Sequence, residues 1–195
     1  MIMKAISLLF SLSFINAQIA LPTFQGVHIT HSTTSGTPEN PLQAMIGAGT
    51  MWYENATWTY MIGYRFTPNV NGTITQLGGR FDGTHTVRLW KRSNQSFLGS
   101  VSVTDPNNTW SYADLSSSVS VTSGEEYIVM VYSNGYGMCA FRFSPQLPNT
   151  NGNITINYTC YKAGYNSDTY PPSWDNQTRT DAVFGMPDIT FVPDE

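Results

Sequence analysis

Side chains that could do chemistry are few and scattered in this 195-residue chain. Two of its three histidines, His28 and His31, stand three apart, a spacing that brings side chains together only on a helix. Gly26, Thr30 and Ser32 argue against a helix there, so no metal site is expected from the pair. His85 lies in a Gly-Thr-His-Thr stretch, where a strand histidine bonded to neighbouring backbone is expected rather than a catalytic one. Asp82, Asp105, Asp114, Asp175 and Asp181 fall mostly at or near turns, where Asp bonds to its own backbone. No two of them single themselves out as a general acid and base. A Ca2+ site would need several converging oxygens, and without EF-hand-like spacing nothing supports one; no cofactor is expected. Gly-x-Ser-x-Gly, His-Glu-x-x-His and P-loop patterns are absent. The expectation is a protein that is not an enzyme.

Two other patterns carry more. Seven Asn-x-Ser/Thr sequons occur, at Asn55, Asn71, Asn94, Asn107, Asn153, Asn157 and Asn176, where Ser/Thr frequency alone would give roughly three. Those near turns, Asn71, Asn94, Asn107 and Asn176, are the better acceptors for N-glycans, because an attached sugar must project into water and leave strand pairing intact. Tyr158, Tyr161, Tyr165, Tyr170 and Trp174 crowd the stretch around and after Cys160, where loops are expected. Their flat rings match the C–H faces of pyranoses, so Tyr161, Tyr165, Tyr170 and Trp174 are candidates for stacking on a polysaccharide; aromatics in a sandwich also serve as core or corner residues.

The elements that must position these groups are strands. Hydrophobic residues make up 41% of the chain and aromatic ones 13%, while only 11% are charged against roughly a quarter in an average domain, so Ser, Thr, Asn and Gly cover the surface. That balance suits extracellular β proteins. With a net charge of -4 and no basic cluster beyond Lys91-Arg92, nucleic acid is excluded as a partner. Residues 1–17 carry Lys4, an apolar stretch from Ala5 to Ile15 and a small residue, Ala17, at the cleavage position, which reads as a signal peptide and a secreted location; no later segment could span a bilayer. In an oxidising compartment, Cys139 and Cys160 favour one disulfide, two buried free thiols being the alternative.

From Thr59 onward, short runs of Val, Ile, Thr, Tyr, Phe and Trp alternate with turn residues at Asn71-Gly72, Asp82-Gly83, Asp105-Pro106-Asn107 and Ser123-Gly124. Strands are expected at 59–66, 72–80, 85–91, 97–104, 110–115, 118–121, 126–133, 138–143, 153–160 and 181–191. The run Tyr127–Tyr132 is apolar on both faces and so is the best central strand, whereas 97–104 is half buried. The fold expected is all-β: a two-sheet antiparallel sandwich, jelly-roll-like, over residues 59–195, behind an extended N-terminal arm at 18–58. The arm's apolar pieces, Ile19 with Leu21 and Val27 with Ile29, have period-2 spacing and could add as strands to a sheet edge, either of their own domain or of another copy.

Met61 to Phe184 resembles the family called domain of unknown function 4082. The resemblance rests on Gly63-Tyr64-Arg65-Phe66-Thr67-Pro68, Val70-Asn71-Gly72-Thr73-Ile74, Gly83-Thr84-His85-Thr86-Val87-Arg88-Leu89-Trp90, Phe97-Leu98-Gly99, Trp110, Gly124-Glu125-Glu126-Tyr127, Tyr170-Pro171-Pro172 and Asp181-Ala182-Val183-Phe184. It implies a secreted β-sandwich module, of the kind appended to surface and carbohydrate-active proteins, and supplies no catalytic residues. Here the module is nearly the whole mature chain, which favours a self-sufficient structural role. The function expected is therefore a secreted, glycosylated protein that polymerises with copies of itself, through strand donation by its arm, into an extracellular filament or surface coat. The alternative is a carbohydrate-binding or adhesion module.

Overall fold

Period-2 patterning from Tyr60 onward folds as expected into antiparallel strands, seen in a computed structural model that describes residues 36–46, 52–54, 59–105, 108–133, 139–143 and 146–195. For 52–54 and 139–143 it describes the backbone alone. The elements are a short helix α1 (Pro41–Ile46) and strands β1 (Trp52–Glu54), β2 (Tyr60–Pro68), β3 (Gly72–Arg80), β4 (Gly83–Lys91), β5 (Phe97–Asp105), β6 (Trp110–Val121), β7 (Tyr127–Tyr132), β8 (Cys139–Phe143), β9 (Asn149–Asn151), β10 (Ile154–Ala163), β11 (Asn176–Arg179), β12 (Ala182–Phe184) and β13 (Pro187–Pro193). One seven-stranded sheet runs β11-β10-β2-β7-β4-β5, with β9 paired to β10; a second runs β13-β3-β6, and a small third runs β1-β8-β12. The architecture is an antiparallel β-sandwich.

Tyr127–Tyr132 is the central strand its sequence pattern implies, hydrogen-bonded to β2 on one side and β4 on the other. Its alternate residues serve two cores. Tyr127, Val129 and Val131 join Tyr64, Phe66, Val87, Leu89, Ile189 and Phe191 between the sheets, while Ile128 and Met130 join Met61, Trp90 and Cys160 on the outer face. The closeness of β2 to β7 demands Gly63, because a Cβ there would overlap the Val129 carbonyl oxygen.

β5 is half buried, yet its alternation breaks at a register shift opposite Leu89 and Trp90. The irregularity lets Leu98 reach the inter-sheet core with Val101 and Val103, while Phe97 packs edge-on to Trp90. Residues 110–121 form one strand rather than two, with Leu115–Ser118 absorbed as a bulge between the Ile74–Val119 and Gln76–Asp114 pairs. The run 181–191 divides in two, because Gly185 (φ 74°) and Met186 (φ 49°) both adopt left-handed backbone and carry the chain from one sheet to another.

The segment 36–46, read as part of an extended arm whose pairing partner the sequence leaves open, is fastened to its own domain. Gly36 N–H donates to Pro193 O at 3.0 Å, Glu39 and Phe191 exchange backbone bonds of 2.7 and 2.8 Å, and Leu42 and Ile46 are buried in the main core. Burying each of those two side chains contributes roughly 2 kcal/mol before entropy is counted. The helix itself starts with Pro41, whose missing N–H costs nothing at that position. Its next two amides, Leu42 and Gln43, donate to the buried Asp188 carboxylate at 3.1 and 2.9 Å. Residues 36–46 belong to the same compact unit as the sandwich. The expected signal peptide at residues 1–17, and Ile19, Leu21, Val27, Ile29, His28 and His31, lie outside the described residues.

Candidate functional site

The outer face of the seven-stranded sheet shows what the loop aromatics do. Met61, Trp90, Ile128, Met130 and Cys160 would leave an apolar surface facing water, and residues 164–175 form a strap that covers it, packing Tyr165, Tyr170 and Trp174 on those side chains. Polar anchors hold the strap down. Arg88 Nε donates to Asp168 Oδ1 at 2.7 Å, and Trp90 Nε1 donates to Asp168 O at 2.9 Å. Asp175 accepts from Lys162 Nζ at 3.0 Å and from the Ala163 amide at 2.6 Å, and these donors, the amide first, hold its pKa below the usual carboxylate value. Within the strap, Tyr165 donates its hydroxyl to Thr169 O at 2.9 Å.

Tyr170 and Trp174 stand edge to face, ring centroids 5.6 Å apart and planes at 76°. Partial burial raises the Tyr170 pKa. Together they form one wall of a surface cleft of about 390 Å³, with the polar side chains of Arg92, Ser93 and Gln95 from the turn after β4, and Gln177 from β11, completing the lining. Arg92 is steadied through Nε by Glu126 at 3.1 Å, a carboxylate that also pairs with Arg65 at 2.5 Å and accepts from Asn157 at 3.0 Å. Ser93 donates to Glu125 at 2.9 Å. The carboxamides of Gln95 and Gln177 bond to no side chain or backbone group among the described residues.

Of the four stacking candidates, the structure brings Tyr170 and Trp174 to the cleft and sends the others elsewhere. Tyr161 turns into the inter-sheet core, edge-on to Tyr60 at 6.0 Å and Phe184 at 6.3 Å. Tyr165 braces the strap, and Tyr158 lies under the Arg65 guanidinium at 5.0 Å. Sequence reasoning missed Arg92, Ser93, Gln95 and Gln177, since only the fold brings a turn after β4 beside β11. It also missed Asp188, which nothing short of the tertiary packing distinguishes from the surface carboxylates.

The histidine and carboxylate readings can be placed directly. The His85 ring is buried with each nitrogen facing a main-chain oxygen, 2.9 Å from Tyr132 O and 2.8 Å from Asp82 O, as expected of a strand histidine. Asp105, Asp114 and Asp181 each have their own partner: Thr109, Gln76 and, through two bonds, Arg179. Among the described residues no group of three or more His, Cys, Asp or Glu converges to hold a metal.

The expected Cys139–Cys160 disulfide is corrected: Cys160 is a free, buried thiol. Its strand β10 sits in the seven-stranded sheet, where Cys160 is enclosed by the outer-face core, whereas Cys139 begins β8 in the small third sheet. Burial pushes the Cys160 pKa well up.

The sequons also separate. Asn157 Nδ2 donates to Thr67 Oγ1 and Glu126 Oε1, and Asn153 Nδ2 donates to Glu39 Oε1. Asn71, Asn94 and Asn176 instead use Oδ1, accepting from Ser123, Ser96 and Thr178 amides. Asn55 and Asn107 lie outside the described residues.

A two-sheet antiparallel sandwich whose loop aromatics wall an open cleft defines the class, a β-sandwich module. The chain belongs to the family described as "Domain of unknown function (DUF4082)", whose family model matches residues 49–181. No curated protein matches the chain. The family match ends before β12 and begins after α1, so the Asp188 joint that fastens α1 to β13 lies outside it. No helix among the described residues is long and apolar enough to cross a membrane.

Proposed function

We propose that the protein is an extracellular carbohydrate-binding module whose ligand, a chain of pyranose rings, seats in the Tyr170–Trp174 cleft. One observation carries the reading: a partly exposed aromatic pair lines the same cleft as two carboxamides, Gln95 and Gln177, that no described residue engages. A pyranose offers a C–H face to the rings and a rim of hydroxyls that both donate and accept, which suits an amide. Stacking would supply about 1 kcal/mol and the two carboxamide hydrogen bonds about 1 kcal/mol each, about 3 kcal/mol together, so a single site would bind no tighter than several millimolar. Electrophoresis through gels containing soluble polysaccharides tests this. Retardation is expected for the parent and should be lost in Trp174→Ala. It should also be lost in a Gln95→Ala/Gln177→Ala double variant that leaves the strap packing alone; equal retardation of the double variant, or none for the parent on any polysaccharide, refutes the reading.

A second reading, self-assembly into a filament or surface coat through the arm, draws on Ile19, Leu21, Val27 and Ile29. The feature that favours it is the strand-like bonding of Gly36–Glu39 to Phe191 and Pro193, which means that extended backbone ahead of α1 does add to a sheet edge. Deleting residues 18–31 should abolish any filaments seen by electron microscopy while leaving a folded monomer; filaments that persist exclude the arm.

A further inference from the structure

We propose that N-linked glycans are carried on Asn71, Asn94 and Asn176, and that Asn153 and Asn157 stay unmodified as structural carboxamides. The argument lies in one atom. Glycosylation forms a bond from Asn Nδ2 to the anomeric carbon of a lipid-diphosphate-linked oligosaccharide. As the bond forms, the carbon–oxygen bond to the diphosphate breaks, the lipid diphosphate leaves with the electron pair, and Nδ2 gives up one of its two protons. The modified nitrogen keeps one N–H, so an asparagine that uses both protons must give up a bond, and one whose Nδ2 is drawn to a folded-state partner must set the sugar against that partner.

Asn157 uses both. Its Nδ2 donates to Thr67 Oγ1 at 2.9 Å and to Glu126 Oε1 at 3.0 Å, inside the cluster in which Glu126 also pairs with Arg65 and Arg92. The third residue of that sequon, Thr159, is fully buried in β10. Asn153 gives both its backbone N–H and its Nδ2 to Glu39, at 2.8 and 2.7 Å, which fixes the segment ahead of α1. A sugar on Asn157 Nδ2 would displace one of its two bonds to Thr67 and Glu126, and one on Asn153 Nδ2 would stand against the Glu39 carboxylate it bonds, so a chain modified at either folds at the expense of those contacts.

The other three are oriented the opposite way. Asn94 is exposed, and its Oδ1 accepts from the Ser96 amide at 3.1 Å and the Ser96 hydroxyl at 2.8 Å, both within its own sequon. Asn176 Oδ1 likewise accepts from the Thr178 amide at 3.0 Å, and the exposed Asn71 accepts from the Ser123 amide at 2.9 Å. With the oxygen turned to the backbone, Nδ2 faces away from it and bonds to no described residue.

The test is the full-length protein secreted from a eukaryotic cell, its glycans released by an amidase in heavy-oxygen water so that each occupied asparagine is marked as aspartate, and its peptides mapped by mass. Label at Asn71, Asn94 and Asn176 with none at Asn153 or Asn157 is expected. Label at Asn153 or Asn157, or its absence from any of the three, overturns the assignment. In parallel, Thr73→Ala, Ser96→Ala and Thr178→Ala should each remove one glycan from the intact mass. Thr159→Ala, which deletes a buried hydroxyl without a bonding partner, should change the mass by the substitution alone. A glycan lost with Thr159→Ala would equally overturn it.

Discussion

Replacing Asp188 with asparagine removes one charge and one acceptor from the joint between α1 and the sandwich, and its effect should depend on pH in a defined direction. The buried carboxylate takes hydrogen bonds of 2.9–3.1 Å from the Leu42, Gln43 and Ile189 amides and the Tyr64 and Tyr112 hydroxyls. Burial pushes its pKa up to about 6, against the pull of those donors. Burial first, and the adjacent carboxylate second, also raise the pKa of both tyrosines, so they remain donors. In the unfolded chain an aspartate titrates near about 3.9, so the folded state holds the proton more tightly. Below about pH 4 both states are protonated. As pH climbs from about 4 to about 6 the unfolded chain loses its proton first, and stability due to this group falls by about 3 kcal/mol, for a shift of about 2 units at ~1.36 kcal/mol each. The substituted carboxamide cannot ionise, and its nitrogen turns two protons toward other donors where the protonated carboxyl turns one, at a cost of about 1–3 kcal/mol. Urea unfolding at pH 4, 5, 6 and 7 should therefore find Asp188→Asn less stable than the parent at pH 4, with the gap closing or reversing by pH 7. A gap that is flat with pH, or one that widens as pH rises, would refute the reasoning.

Other substitutions probe the sheet and the strap. Gly63→Ala sets a Cβ against the Val129 carbonyl oxygen and 2.8 Å from Met130 Cα, both backbone, so the β2–β7 pairing must shift and unfolding free energy should drop by about 3 kcal/mol; a loss under about 1 kcal/mol would contradict the close approach. Asp168→Ala removes the carboxylate from Arg88, whose Nη1 already lacks a hydrogen-bond partner. Because that aspartate is 58% exposed, the cost should be only about 1 kcal/mol, but amide exchange across residues 164–175 should quicken selectively, and uniform exchange would argue against a strap pinned at this point. Cys160 should resist thiol reagents in the folded protein and react after denaturation without reductant; a peptide cross-linked to Cys139 would disprove the free thiol.

Much of the fold was legible in local pattern. The central place of Tyr127–Tyr132 follows from apolar residues at consecutive positions, since only a strand covered on both faces can bury them all. The turn at Ser123-Gly124 follows from a glycine that adopts φ 79°. Local pattern erred where non-local packing set the backbone: at the Leu115–Ser118 bulge, at the left-handed pair Gly185–Met186, and in α1, six residues that no helical periodicity announces. That helix is too short to hold by itself and depends on Asp188, 146 residues beyond Leu42, to bond its first free amides.

The site divides along the same line. Composition and the residue spacing by themselves determined that the chain is β-rich, that aromatics gather after Cys160, and that seven asparagines stand in sequons, because these are properties of neighbours in the chain. Only the tertiary structure decided which aromatics are core and which line a cleft, which asparagine amides are free, and that Cys160 sits beneath a strap. Those outcomes depend on which strands become neighbours, and strand pairing joins residues far apart in the chain through backbone bonds that carry little trace of side-chain identity.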